Sequence, residues 1–159
     1  MVTVMLKRTI HIANSTLVFW LLVLPLAVMA WLPGTFWFET RSLTVSDAVY
    51  GEAPTVLENR AIKRPFLGGY DTITYDAKTN LPTLCRGSER FRYGNILDGV
   101  RSMGLVQWTA NEAACQSLPV GTYYMRVCRI IEKPFPRLHW LVGPKDSCAT
   151  SNLFRINEQ

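Results

Sequence analysis

The residues of this 159-residue chain best equipped for covalent chemistry are Cys85, Cys115, Cys128 and Cys148. Thiols can hold a metal, cycle redox equivalents or form disulfides, and their spacing decides among these. None sits in a Cys-x-x-Cys pair, which argues against a thioredoxin-like site or a zinc knuckle. His139 is the one histidine close enough in sequence to serve as a co-ligand, so no metal site is expected. Two disulfides are expected instead, and an oxidising compartment with them. Three pairings are possible. Cys85 with Cys115 and Cys128 with Cys148 is preferred because each closes a short local ring. Such rings of about 20–30 residues contribute roughly 3 kcal/mol each in the chain-entropy description.

Little else converges on catalysis. His139 lies between Leu138 and Trp140, as a strand histidine does, rather than in the setting of a general base. There is no Gly-x-Ser-x-Gly elbow, no His-Glu-x-x-His and no phosphate-cradling glycine loop. Gly68-Gly69 precedes a strand pattern and reads as a turn. Glu89 and Asp98 are single carboxylates with nothing in sequence to pair them as a glycosidase dyad. The expectation is a chain with no catalytic residues and no cofactor.

Surface chemistry remains. Arg86, Arg90, Phe91, Arg92 and Tyr93 mix arginines with aromatics beside a cysteine, a combination enriched at protein interfaces and able to stack on sugars. The bland alternative is a loop that packs its own Phe and Tyr into a sheet edge. Lys133-Pro134-Phe135-Pro136-Arg137 reads as a rigid exposed turn. Further basic groups, Arg60, Lys63 and Arg64, and Arg126, Arg129, Lys133 and Arg137, read as solvated strand faces, or as contacts to anionic headgroups or an acidic partner. The formal charge is +5; without Lys7 and Arg8 the 17 Lys and Arg become 15, against 12 Asp and Glu. That mild surplus lacks the dense cationic stripe of a nucleic-acid binder.

These side chains need elements to hold them, and the chain divides sharply. From Thr9 to Phe38 the only ionisable residue is His11. Ile12 to Leu32 is uncharged; as a helix of about 21 residues at ~1.5 Å each it spans roughly 31 Å, the thickness of a bilayer's hydrocarbon core. Leu17, Trp20 and Leu24 belong to its greasy centre, and Pro25 kinks it. Trp31, Phe36, Trp37 and Phe38 form an expected interfacial aromatic belt, and Pro33-Gly34 ends the helix. Lys7 and Arg8 before the span, against Glu39 and Arg41 after it, predict a cytoplasmic N-terminus. Val28-Met29-Ala30 also fits a signal-cleavage site. Apolar residues continuing to Phe38 suit an anchor better. The expected organisation is a cytoplasmic segment at 1–11, a transmembrane helix with exit belt at 12–38, and an exported domain at 39–159.

Past the belt, short runs rich in Val, Ile, Thr and Tyr alternate with turn residues. Strands are predicted at Leu43–Val49, Thr55–Ile62, Tyr70–Tyr75, Thr83–Cys85, Leu105–Trp108, Thr122–Ile131, Leu138–Val142 and Leu153–Ile156. One short helix is predicted from the capping-box spacing Thr109-Ala110-Asn111-Glu112. Within Thr122–Ile131, Tyr123, Met125 and Val127 alternate toward a core, with Arg126 outward.

Leu118-Pro119-Val120-Gly121-Thr122-Tyr123 resembles the loop into the tyrosine corner of fibronectin type III and immunoglobulin-like sandwiches, and Trp108 resembles their core tryptophan. The resemblance implies an all-β, immunoglobulin-like antiparallel sandwich, with the Tyr123 hydroxyl bonded back to its loop. Cys128 follows Tyr123 by five positions, whereas the immunoglobulin inter-sheet cysteine follows its tyrosine by two. An antibody-type disulfide is therefore not implied. An anchor followed by such a domain is similar to small envelope proteins of bacteria and their phages.

Together these readings predict a single-pass protein of the cytoplasmic membrane whose β domain lies in the periplasm or outside the cell. Its expected role is a non-catalytic accessory or structural subunit, with the bilayer and neighbouring proteins of an envelope assembly as partners and no nucleic acid. The alternatives are a stand-alone envelope binding module, for peptidoglycan, lipid headgroups or a phage-related ligand, and a small periplasmic enzyme.

Overall fold

Apolar residues run unbroken only through the second half of the first helix, residues 17–31, and then give way to period-two alternation, and the chain follows that change. The computed structural model describes residues 2–94, 98–110, 112–132, 134, 135, 137, 140 and 142–159, with side chains from residue 17 onward, Glu112 excepted. It forms two units, Met1–Leu32 and Pro33–Gln159.

The first unit is helix α1, Val2–Trp31, with Pro25 inside it. Proline has no N–H to give to the preceding turn, so that helical bond is missing. Leu32 closes the last turn by donating to Val28, and Pro33 then takes extended geometry (φ −72°, ψ 159°) that ends the helix. Leu17, Phe19, Trp20, Leu24 and Trp31 expose more than half of their surfaces, Trp31 89 %. Among the described residues, no helix is long and apolar enough to cross a membrane.

The second unit places two sheets around a shared core. One has the order β1-β3-β6, from Phe38–Val45, Thr55–Ile62 and Gly99–Gly104. The other runs β2-β9-β7-β4-β5, from Ala48–Val49, Phe154–Asn157, Gly121–Ile131, Phe66–Asp76 and Pro82–Tyr93, with β8, Lys145–Thr150, also paired to β7. Every pairing is antiparallel except β2 with β9, which is parallel and departs from the expected all-antiparallel arrangement. Leu43, Val45 and Val56 from the first sheet meet Tyr70, Met125, Val127, Phe154 and Ile156 from the second.

Residue parity explains how β1 serves this core. Phe38 is buried at an even position, Leu43 and Val45 at odd ones. A register shift between Thr40 and Ser42 places one extra residue there, which flips the inward face of all that follows. Trp37 (3 % exposed) and Phe38 (0 %) are thus core residues of the β unit. Their assignment to a membrane exit belt is corrected: Trp37 packs edge-on against Phe36 and Phe135, and Phe38 against Phe66 and Tyr93.

Leu105–Trp108 is not a strand. It belongs to helix α2, Leu105–Thr109, followed by helix α3, Glu112–Gln116, so two short helices stand where one was predicted. Leu105, Trp108 and Thr109 share one buried helical face through i, i+3 and i+4 spacing. Gly104 donates its backbone N–H to the Gln107 side chain at the helix start. Asn111 lies outside the described residues, as do His139 and most of the Leu138–Val142 strand prediction; Trp140 is in a turn.

Candidate functional site

Strand register sets two polar rows face to face between the sheets. Across the larger sheet, Glu89 of β5 pairs with Tyr70 of β4, which pairs with Arg129 of β7. Across the smaller sheet, Arg101 of β6 pairs with Glu58 of β3, which pairs with Leu43 of β1. Alternation turns Glu58 and Arg60 to the same inner face as Val56, and Arg129 to the same inner face as Met125 and Val127.

Glu58 and Arg129 join the rows. Arg129 Nη2 donates to both Glu58 oxygens at 2.9 Å, and Arg60 Nη1 donates to Oε2 at 3.1 Å. Glu58 is 0 % exposed and Arg129 1 %. One carboxylate serves both guanidiniums in a dry interior, where holding positive charge is costly. Aromatic faces take up part of it: the Arg129 guanidinium lies 4.7 Å from the Tyr70 ring centre, 4.8 Å from Trp108 and 5.3 Å from Phe38. Burial pulls the Arg60 pKa below the usual arginine value, with Glu58 acting in the opposite direction.

Beside this cluster lies a cavity of about 300 Å³, lined by Arg60, Arg101 and Arg129, by Glu89, and by Tyr70, Phe91, Met103, Gln107 and Trp108. The Tyr70 hydroxyl is 2.9 Å from the Trp108 carbonyl and 3.2 Å from Glu89 Oε2, and its one proton serves one acceptor at a time. Burial, and then the Glu89 charge, raises the Tyr70 pKa well above that of a free tyrosine. Burial also pushes Tyr93 up to about 12.

The residues singled out from sequence are sorted differently from expectation. Arg86 to Tyr93 is part of edge strand β5 rather than a loop. Its alternation splits the group: Arg86, Arg90 and Arg92 are exposed, while Phe91 and Tyr93 turn inward. Phe91 lines the cavity and Tyr93 stacks on Phe66 at 4.4 Å. Arg90 pairs with Glu132 across the outer face. Glu89 and Asp98 do not form a dyad: Glu89 takes Tyr70, and Asp98 accepts from the Ile62 backbone at 3.1 Å. Phe135 is half-buried on Trp37; Lys133 and Pro136 lie outside the described residues.

Both disulfides form with the preferred pairing. Cys85–Cys115 is buried and ties β5 to α3. Cys128 and Cys148 are directly opposed on β7 and β8 and lie on the outer face. Among the described residues, no group of three or more His, Cys, Asp or Glu could hold a metal ion.

Arg129, expected on a solvated strand face, is turned inward by strand parity. Arg129 continues the odd-numbered set Tyr123, Met125, Val127 that was assigned to the core, and Ile131 follows it. Glu58 and Arg60 likewise share the parity of Val56. Arg101 carries no such signal, because β6, Gly-Val-Arg-Ser-Met-Gly, has little strand propensity of its own.

The chain matches no family model, and no curated protein or solved structure shows a significant match to it.

Proposed function

We propose that this chain is a membrane-anchored, non-catalytic accessory subunit. In this reading α1 sits in the bilayer with its N-terminus in the cytoplasm, and the β unit contacts proteins of an envelope assembly on the oxidising side. The observation that carries it is the surface of residues 17–31, where Leu17, Phe19, Trp20, Leu21, Leu22, Leu24, Val28 and Trp31 are all exposed. A helix apolar on every side is stable only when lipid or other helices cover it. Two disulfides in the unit that follows fit an extracytoplasmic location.

The partner contact assigned to the β unit is the outward row Arg86, Arg90 and Arg92 on edge strand β5, where arginine forks and an open strand edge coincide. An immunoglobulin-like kinship for the unit is part of the proposal. It is supported by the Tyr123 hydroxyl donating to the Pro119 carbonyl at 2.8 Å, the bond a tyrosine corner makes. Trp108 on a helix and Cys128–Cys148 within one sheet set it apart from antibody domains.

The full-length chain expressed in membranes tests the anchor. It should resist carbonate extraction, and the β unit should be degraded by protease only from the extracytoplasmic side. Release by carbonate would overturn the anchor. Copurification from mild detergent tests the partner face: wild type should carry a stoichiometric partner that R86E/R92E loses. A lone monomer would sink the subunit reading. The same arginine row favours a second reading, a stand-alone module for anionic envelope surfaces, and retention on anionic liposomes without any protein partner would select it.

A further inference from the structure

Strand β5 ends its sheet, and the direction of its backbone groups follows from its neighbours. At the two ends of β4, the Glu132 N–H donates to the Leu67 carbonyl and the Ala77 N–H to the Thr122 carbonyl. Odd residues of β4 thus turn their backbone groups to β7. Direction alternates along a strand, so Gly68, Tyr70 and Thr72 turn theirs to β5. Their register partners Phe91, Glu89 and Gly87 answer with N–H and C=O. Arg86, Ser88, Arg90 and Arg92, of the other parity, point N–H and C=O out of the sheet edge, where no described strand pairs with them. The register runs without a shift from Tyr93 to Arg86, so this open edge is straight, and all four residues are exposed.

Side-chain chemistry narrows what can lie along that edge. Arg90 takes Glu132, while Arg86 and Arg92 form no ion pair among the described residues. A second copy of β5 laid antiparallel would bring two arginine rows together on one face, which disfavours self-pairing. An acidic strand gains where a copy loses. On the other face of β5, Glu89 is held by the Tyr70 hydroxyl and Phe91 packs part-buried against the core. We propose that β5 accepts an extended segment of a partner protein as an added strand, one that alternates acidic with apolar residues. Its backbone bonds Arg86, Ser88, Arg90 and Arg92. Its acidic side chains lie beside Arg86 and Arg92, and its apolar ones turn to the side of Phe91. The inference rests on the arginine-face reading above and names the mode of contact and the partner's chemistry.

Peptides of about eight residues, added to the purified full-length chain in detergent, test it by calorimetry and residue-resolved amide hydrogen exchange. One alternates valine with glutamate, one alternates valine with lysine, and the third is the glutamate peptide N-methylated at its glutamates, whose amides would face β5. The glutamate peptide should bind saturably and slow exchange at Arg86, Ser88, Arg90 and Arg92; the other two should bind at least about tenfold weaker. Ser88→Pro removes one edge-facing N–H and no bond to β4, and Gly87 before it tolerates a proline. It should weaken the glutamate peptide by about tenfold or more. Equal binding of the methylated peptide would show that side chains alone are recognised, and equal binding of the lysine peptide that charge is not. Either result, or no saturable binding with slowed edge amides, overturns strand addition. The arginine-face reading fails separately, if R86E/R92E keeps the copurified partner. If R86E/R92E loses that partner and Ser88→Pro keeps it, the face stands and strand addition is overturned. Should Ser88→Pro not fold, the methylated peptide decides.

Discussion

Glu58 carries the charge balance of the β unit's interior, because both buried guanidiniums beside it depend on its two oxygens. Glu58→Gln removes the anion that buried Arg129 shares with Arg60, so chemical denaturation should show a loss of about 3–5 kcal/mol. Replacing Glu58 and Arg129 together by methionine removes charge and counter-charge at once and should cost clearly less than the two single changes added; strict additivity would mean that the pair is not coupled. Tyr123 is a milder case. Tyr123→Phe keeps the ring on Phe154 and loses only the bond to Pro119, for an expected cost of about 1 kcal/mol in the same measurement.

At the scale of elements, β5 shows how one strand serves two tasks. Its odd positions supply Cys85, Phe91 and Tyr93 to the interior, and its even positions hold the arginines in solvent. Gly87 sits where β5 runs against the Thr109 backbone, and a Cβ there would collide with the Thr109 carbonyl oxygen and Cα. Gly87→Ala must therefore push α2 away from β5 and lower Tm, whereas Gly94, with nothing among the described residues near its Cβ position, should accept alanine without that cost. The disulfides differ in the same inside-outside sense. Cys148 is exposed and Cys85 and Cys115 are fully buried, so mild reductant followed by alkylation and mass spectrometry should label Cys128 and Cys148 first. Labelling of Cys85 and Cys115 at the same rate would contradict the packing around α3.

The whole β unit responds to alkaline pH through its buried phenols. Tyr70, Tyr93 and Tyr123 are all raised, chiefly by burial, Tyr93 to about 12. In the unfolded chain they ionise near 10. Below that pH both states hold the protons and the stability contribution is complete. Between about 10 and 12 the unfolded chain releases protons that the folded one keeps, so stability falls as pH rises. Absorbance at 295 nm should show part of the six tyrosines ionising only with unfolding, and a titration in which all six ionise together near 10 would refute this packing.

Covalent and periodic features were legible without a fold. The apolar helix, the two short disulfide rings, strand Thr55–Ile62 and the Tyr123 turn all follow from local spacing, because the forces involved act within a few residues or within one short loop. Strands β6 and β8 were not legible: Gly-Val-Arg-Ser-Met-Gly and Lys-Asp-Ser-Cys-Ala-Thr are strands because β3 and β7 offer them hydrogen bonds. Leu105–Trp108 reads as a strand in sequence, and burial of Leu105, Trp108 and Thr109 on one face makes it a helix instead. Trp37 and Phe38 continue a greasy run in sequence, yet the bulge at Arg41 brings that run into phase with the β core. The site is the clearest case. Parity could turn Arg129 and Glu58 inward, but only the packing of two sheets brought them within 2.9 Å of each other. The buried charge, its aromatic surround and the cavity beside it come from residues distant in sequence, and such contacts exist only once the tertiary structure has formed.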